Sequence, residues 1–185
     1  MDWGFIGILI AVALLGLMAI LIYNRLVGLR QNCLEGSANI AAQLRQRHDL
    51  IPNLVATVKG YAAHEQATFD AVIAARNRAE APGATAGDEA ALSGAMGRLI
   101  AVAEAYPDLK ASANFQQLQG ELADVEDKLA AARRAFNSAS ADYNSSRESF
   151  PAVLFAGALG FKPSNFHEIA ASERGTVDVA PTVRL

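Results

Sequence analysis

Six polar side chains fall close together between residues 47 and 65: Arg47, His48, Asp49, Asn53, His64 and Glu65. A histidine next to a carboxylate can bind a metal or carry a proton. His64-Glu65 begins as a zinc-protease motif does, but that motif needs a second histidine one helical turn on, and Thr68 stands there instead. The carboxylate-bundle pattern of a glutamate followed three residues later by a histidine fails too, since Tyr61 occupies the glutamate's place before His64. Cys33 is the sole cysteine, which excludes an intramolecular disulfide and any multi-cysteine zinc or iron–sulfur site. It lies on the apolar stripe of its helix, whereas a reactive thiolate needs exposed, electropositive surroundings. The GATAG run at 83–87 follows no strand and lacks the lysine of a phosphate-binding loop. No acid, base and nucleophile converge, so the sequence reads as non-enzymatic, with no cofactor and no small-molecule substrate.

The bland reading of these polar residues is structural. Arg47, Asp49, Pro52 and Asn53 are expected to surround a tight helical hairpin, supplying caps and satisfying carbonyls, with that end of the body serving as a candidate partner surface. His64, Glu65 and Arg76 are expected as polar contacts inside a bundle, because the repeat of their helix turns Glu65 and Arg76 inward and a buried charge persists only when paired.

Helices must position these groups. Proline is absent from Asn24 to Ile51, and Leu26, Leu29, Cys33, Ser37, Ile40 and Leu44 recur at three-four spacing, which predicts a first helix ending at Pro52. A hairpin at His48 to Ile51 follows, with Asp49 capping a second helix that carries Leu54, Val58, Tyr61, Phe69 and Val72 to about Ala81. Residues 82–90, PGATAGDEA, read as a loop. Leu92, Met96, Leu99, Ala103 and Tyr106 mark a third helix over about 88–106, stopped by Pro107. A fourth carries Phe115, Leu118, Leu122, Val125, Leu129, Ala132, Phe136, Ala139 and Tyr143, with Asn114 and Gln117 as an N-terminal capping pair and Glu121, Asp124, Glu126, Asp127, Lys128, Arg133 and Arg134 on a solvated face. Thirty-eight alanines permit close helix approach. The expected fold is all-α, an antiparallel up-down-up-down bundle, with an intermolecular coiled coil as the competing arrangement.

One segment is not bundle-like. Trp3 to Tyr23 is an apolar run of 21 residues without charge or proline, about 31 Å long as a helix and so matched to the bilayer core. Twelve of its residues are Phe, Ile, Leu or Val, favouring insertion by roughly 4 to 7 kcal/mol in sum. No basic side chain precedes it, unlike a cleaved signal peptide, so it reads as a retained anchor. Trp3, Tyr23 and Arg25 are its interface residues, and Arg25 with Arg30 after the run predict the N-terminus outside and the body in the cytoplasm. An even-numbered bundle returns the chain to the membrane. There the apolar residues Phe150, Leu154, Phe155, Leu159 and Phe161 either dock on the bundle base or dip into the interface. The net charge of −3, with its basic residues dispersed, gives no footprint for nucleic acid.

The stretch RQRHDLIPNLVATVKGYAAHE at 45–65 resembles the LemA family. So do YNRLVGLR at 23–30, ARNRA at 75–79, AEAYPDLKAS at 103–112, FQQLQGELADVE at 115–126, AARRAFNSASADYN at 131–144 and SFPAVLFAGALGF at 149–161. Phe136 replaces a more usual tyrosine, and Ala158-Leu159 intrude before Gly160. The resemblance implies a single transmembrane helix, an outside N-terminus and an antiparallel helical bundle in a bacterial cytoplasmic (inner) membrane. Together these readings divide the chain into an anchor (1–24), a bundle (25–148), a membrane-proximal apolar segment (149–166) and a mobile tail (167–185). The expected role is a membrane-anchored scaffold or interaction protein that touches the lipid bilayer and forms a homo-oligomer or shapes the membrane. The alternative is an accessory subunit partnering another membrane protein, such as a protease or transporter.

Overall fold

The computed structural model describes residues 3–166, so the tail expected over 167–185 lies outside the described residues. The protein is all-α. Its elements are α1 (Trp3–Lys59), α2 (Gln66–Ala79), α3 (Ala86–Glu104), the single turn α4 (Pro107–Lys110) and α5 (Ala113–Glu148), followed by a 3-10 turn at Ala152–Leu154. They form two compact units, one made of residues 3–40 and 131–166, the other of residues 41–130.

In the first unit α1 and α5 run antiparallel: Arg25 donates to Ser146 Oγ at 3.4 Å, and farther along α1 Gly36 faces Phe136, farther back on α5. Leu26, Cys33 and Tyr143 are buried between them, together with Ala152, Ala156 and Phe161 of the following segment. Cys33 sits where the sequence put it, as a small apolar core residue. At Gly36 a β-carbon would lie 3.1 Å from the Phe136 Cα, so glycine is what lets the two backbones approach. Gly36→Val should therefore lower the unfolding free energy by about 2 kcal/mol, because backbone cannot rotate away as a side-chain tip can. Thermal melts followed by circular dichroism would measure it.

The second unit is a four-helix arrangement built from the C-terminal part of α1, α2, α3 and the N-terminal part of α5. Its core includes Ile51, Leu54 and Val58 of α1, Phe69, Val72 and Ala75 of α2, Leu92, Met96 and Leu99 of α3, and Phe115 and Leu122 of α5. Every one of these lies on a predicted apolar stripe, apart from Ile51 and Ala75, and the stripes face one another within this unit.

Three boundaries differ from expectation. The hairpin at His48 to Ile51 does not exist: α1 continues through Pro52 to Lys59, and the chain turns at Gly60 to Glu65 instead. Proline withholds the N–H that would bond the carbonyl four residues back, which is that of His48. That carbonyl accepts a 2.9 Å hydrogen bond from Arg76 Nε on α2, so the defect is repaired from outside the helix. Leu54 and Val58 consequently belong to α1, and Tyr61 is exposed in the turn. The expected Asn114 and Gln117 capping pair is also absent. α5 begins earlier, at Ala113, and Gln117 Nε2 donates along the helix to Glu121 at 2.9 Å.

The third difference is the start of α3. Thr85 is its N-cap, accepting from the Asp88 N–H while the Asp88 carboxylate accepts from the Thr85 N–H at 2.8 Å. Just before it, Gly83 takes a φ of +86°, a left-handed geometry that suits glycine in the loop. The Thr85 hydroxyl and N–H hold the Asp88 carboxyl below its ordinary value of 3.8. A carboxyl whose folded pKa is depressed stabilises the fold above its unfolded pKa and loses that contribution as pH falls through the folded one. Thr85→Ala should thus lower the melting temperature by roughly 3 °C at neutral pH. The gap should narrow as melts are taken at pH values progressively below 3.8 and the folded Asp88 carboxylate takes up its proton.

Candidate functional site

The second unit contains a polar network that touches each of its four helical segments. Arg47 is buried on α1, where it donates through Nη2 to Ser93 Oγ at 2.7 Å, with Nη1 3.8 Å from Glu89 Oε2 and 3.2 Å from Glu126 Oε1. His48 beside it is buried as well. Its Nε2 stands 2.9 Å from Glu89 Oε1 and its Nδ1 3.9 Å from Glu80 Oε1. The Glu89 contact is close but is not directed as a hydrogen bond. Arg76 closes the circuit from α2, bonding the His48 carbonyl through Nε and Glu80 Oε1 through Nη2 at 2.7 Å. Two successive residues of α1 thus hold α2 by 76 and 80, α3 by 89 and 93, and α5 by 126.

Chemically the network is a clasp. Arg47 Nε and Glu89 Oε2 keep no hydrogen bond, and desolvation of a buried ionic set with open valences offsets much of its attraction. Among the described residues no three His, Cys, Asp or Glu side chains gather as a metal site would need. Beside the clasp Met96, Ile100 and Leu122 line a shallow groove of about 340 Å³ that opens next to Arg47 and Glu126.

The sequence-predicted residues separate accordingly. Arg47 and Arg76 come together within the clasp, Arg47 as an interhelical ion-pair hub rather than a turn cap. Asp49, Pro52 and Asn53 lie exposed on the surface of a continuous helix, Asn53 engaged only through its carbonyl, which accepts from Thr57 Oγ1 at 2.9 Å. His64 is exposed in the turn after α1, and Glu65 is the half-buried residue before α2, with no side-chain cap. Neither belongs to the network. The sequence reading missed Glu80, Glu89 and Ser93, and it assigned Glu126 to a solvated face. Glu126 is indeed half exposed, but one carboxylate oxygen reaches Arg47.

A second polar set, in the first unit, fixes the segment after α5. Tyr143 donates its hydroxyl to the Lys162 carbonyl at 2.8 Å, and Arg147 Nε donates to the Phe161 carbonyl at 3.0 Å. Asn144 pairs twice with Ser164, giving to its carbonyl and accepting from its N–H. Burial pushes the Tyr143 phenol above its ordinary pKa, against the opposing pull of Arg147 and Arg30, which keeps it a neutral donor. Phe161 packs edge-on against Tyr23 with ring centroids 5.5 Å apart, and the Arg30 guanidinium lies 5.6 Å from the Phe161 ring centre. Tyr143→Phe should cost about 1 kcal/mol, the net worth of one partly buried hydrogen bond, read in the same melts.

Trp3 to Tyr23 is exposed along nearly its whole length, with Trp3 at 91% and Leu14 at 61%, and the helix containing it is long and apolar enough to cross a membrane.

Comparison with known proteins agrees with this architecture. The chain is 24% identical over 208 residues to the magnetosome protein MamQ of Magnetospirillum gryphiswaldense, covering 94% of this chain and 76% of that one. It is 23% identical over 175 residues to the magnetosome proteins MamQ 1 and MamQ 2 of Paramagnetospirillum magneticum, with 79% of this chain matched. It spans 64% of the length of those two relatives. The LemA family profile matches residues 36–180, taking in the clasp and most of both units, and the chain therefore belongs to the LemA family.

Proposed function

We propose that this protein is a single-pass membrane scaffold with no catalysis of its own. Its N-terminus lies outside, its helical body lies in the cytoplasm at a bacterial inner membrane, and it self-associates. The observation that carries this reading is the run from Trp3 to Tyr23: a bilayer-length apolar surface, uncovered by the rest of the protein, on the same helix that enters the packed body at Leu26. Leaving such a surface in water is strongly unfavourable, and lipid removes the penalty. Arg25 and Arg30 support the orientation. The absence of converging catalytic groups among the described residues supports a binding or scaffolding role, and the clasp, whose charges face one another, is suited to keeping the body in one register. The magnetosome proteins it is similar to carry a name that denotes a compartment rather than a reaction.

Alkaline carbonate washing of membranes containing the full chain, followed by mass measurement in detergent, tests this reading. Retention in the pellet and a defined homo-oligomer are expected. Release by carbonate overturns the anchor. A monomer that co-purifies with one other membrane protein replaces the scaffold with an accessory subunit, whose docking surface would be the groove at Met96, Ile100 and Leu122.

A further inference from the structure

The segment after α5 buries only part of its apolar character. Ala152, Ala156 and Phe161 face the core of the first unit, while Phe150 is 80% exposed, Leu154 64% and Phe155 39%, with Val153 and Leu159 about half exposed. Five large apolar side chains exposed within ten residues are a concentration of apolar surface rather than scattered surface hydrophobes. They are held there: the bonds from Tyr143, Asn144 and Arg147 to residues 161–164 tie the far end of the segment to α5.

Position decides what covers them. Phe150, Pro151 and Ala152 line a cavity with Ile22, Arg25 and Leu26, and Phe161 packs on Tyr23. Ile22 and Tyr23 are the last residues of the apolar run, so the segment lies beside the point where α1 leaves the hydrocarbon. The cationic side chains of Arg25 and Lys162 are exposed beside it, and Arg147 is half-buried against the Glu148 carboxylate. An apolar ridge flanked by cations at the level of an aromatic anchor has the composition of an interfacial membrane element.

We infer that Phe150, Val153, Leu154, Phe155 and Leu159 form a wedge that enters the headgroup and upper acyl region of the leaflet from which α1 emerges. The protein therefore holds that leaflet at two places, by a span and by a shallow insertion next to it. This inference rests on the anchored reading proposed above, and its test distinguishes the two.

The full chain, reconstituted into vesicles of phosphatidylethanolamine and phosphatidylglycerol, carries one tryptophan, Trp3, which reports the anchor directly through quenching by lipids brominated on the acyl chain. In a Trp3→Phe background, Phe155→Trp and separately Leu154→Trp report the wedge; both positions are exposed, so either indole fits without disturbing the core. Leu34→Trp in the same background gives a water-exposed reference on α1. The wedge positions should be quenched by brominated lipid at least about twofold more than the Leu34→Trp reference, with emission shifted to the blue. If Trp3 is quenched while both wedge positions match the reference, the wedge is wrong and the anchor stands. If Trp3 is itself unquenched, the anchored reading fails first. Wedge positions shielded from aqueous acrylamide yet untouched by brominated lipid would mean that protein covers them, such as a second copy, and would equally overturn the inference.

Discussion

Arg76→Met lowers the unfolding free energy by about 2 to 4 kcal/mol, far more than loss of a surface helix charge normally costs. The reason lies 24 residues away. Pro52 withholds the N–H that the His48 carbonyl needs, and Arg76 Nε fills the vacancy at 2.9 Å. Without the guanidinium an acceptor beside a buried imidazole is left unpaired, which by itself costs about 1 to 3 kcal/mol. Arg76 also holds Glu80, so a single substitution mixes two losses. A double-mutant cycle separates them. In a Pro52→Ala background the helix supplies its own donor to His48, and the Arg76→Met penalty should shrink by about 1 to 2 kcal/mol. Thermal or urea unfolding of the full chain in detergent reads all four variants. An identical Arg76→Met penalty in both backgrounds would show that the carbonyl repair carries no weight.

Arg47→Met should be as damaging, costing about 3 to 5 kcal/mol, because it strands Glu89, whose side chain is only 14% exposed, without its cation. The other carboxylate partner behaves differently. Glu126 is half exposed, so Glu126→Gln should cost less than about 1 kcal/mol. A comparable loss from both substitutions would mean that Glu126, not Glu89, is the principal counter-ion. Replacing Arg47, Glu89 and Ser93 together with apolar residues of similar size is the informative companion. If the clasp sets register rather than stability, the triple variant should melt no lower than the wild type but lose a uniquely packed state, seen as broadened side-chain resonances.

These two arginines show what a one-dimensional reading reaches. The apolar stripes of α3 and α5 were legible because three-four spacing is a local property of a helix that must bury one face. The anchor was legible for the same reason: 21 residues without a charge leave no polar face to find. Pro52 was misread because the rule that proline ends a helix is also local, whereas the group that offsets the missing donor belongs to α2. Nothing in residues 45 to 55 announces it. Arg47 was singled out, but as a residue of a tight turn, because its partners Glu89, Ser93 and Glu126 come from helices brought near it only by the folded topology. Thr85 and Asp88 are a different kind of miss. Their T-x-x-D spacing is a variant of the capping box and was present to be read, yet the start of α3 was placed on Asp88 rather than two residues earlier, directly after the Thr85 cap.

Between Tyr23 and Leu26 there is no loop, glycine or proline: the apolar run and the packed length of α1 are one helix. In a bilayer thinner than the run, a helix of fixed length responds by leaning. With the run in a bilayer as proposed above, such a lean would be carried by the unbroken helix to the close crossing of Gly36 and Phe136 in the first unit.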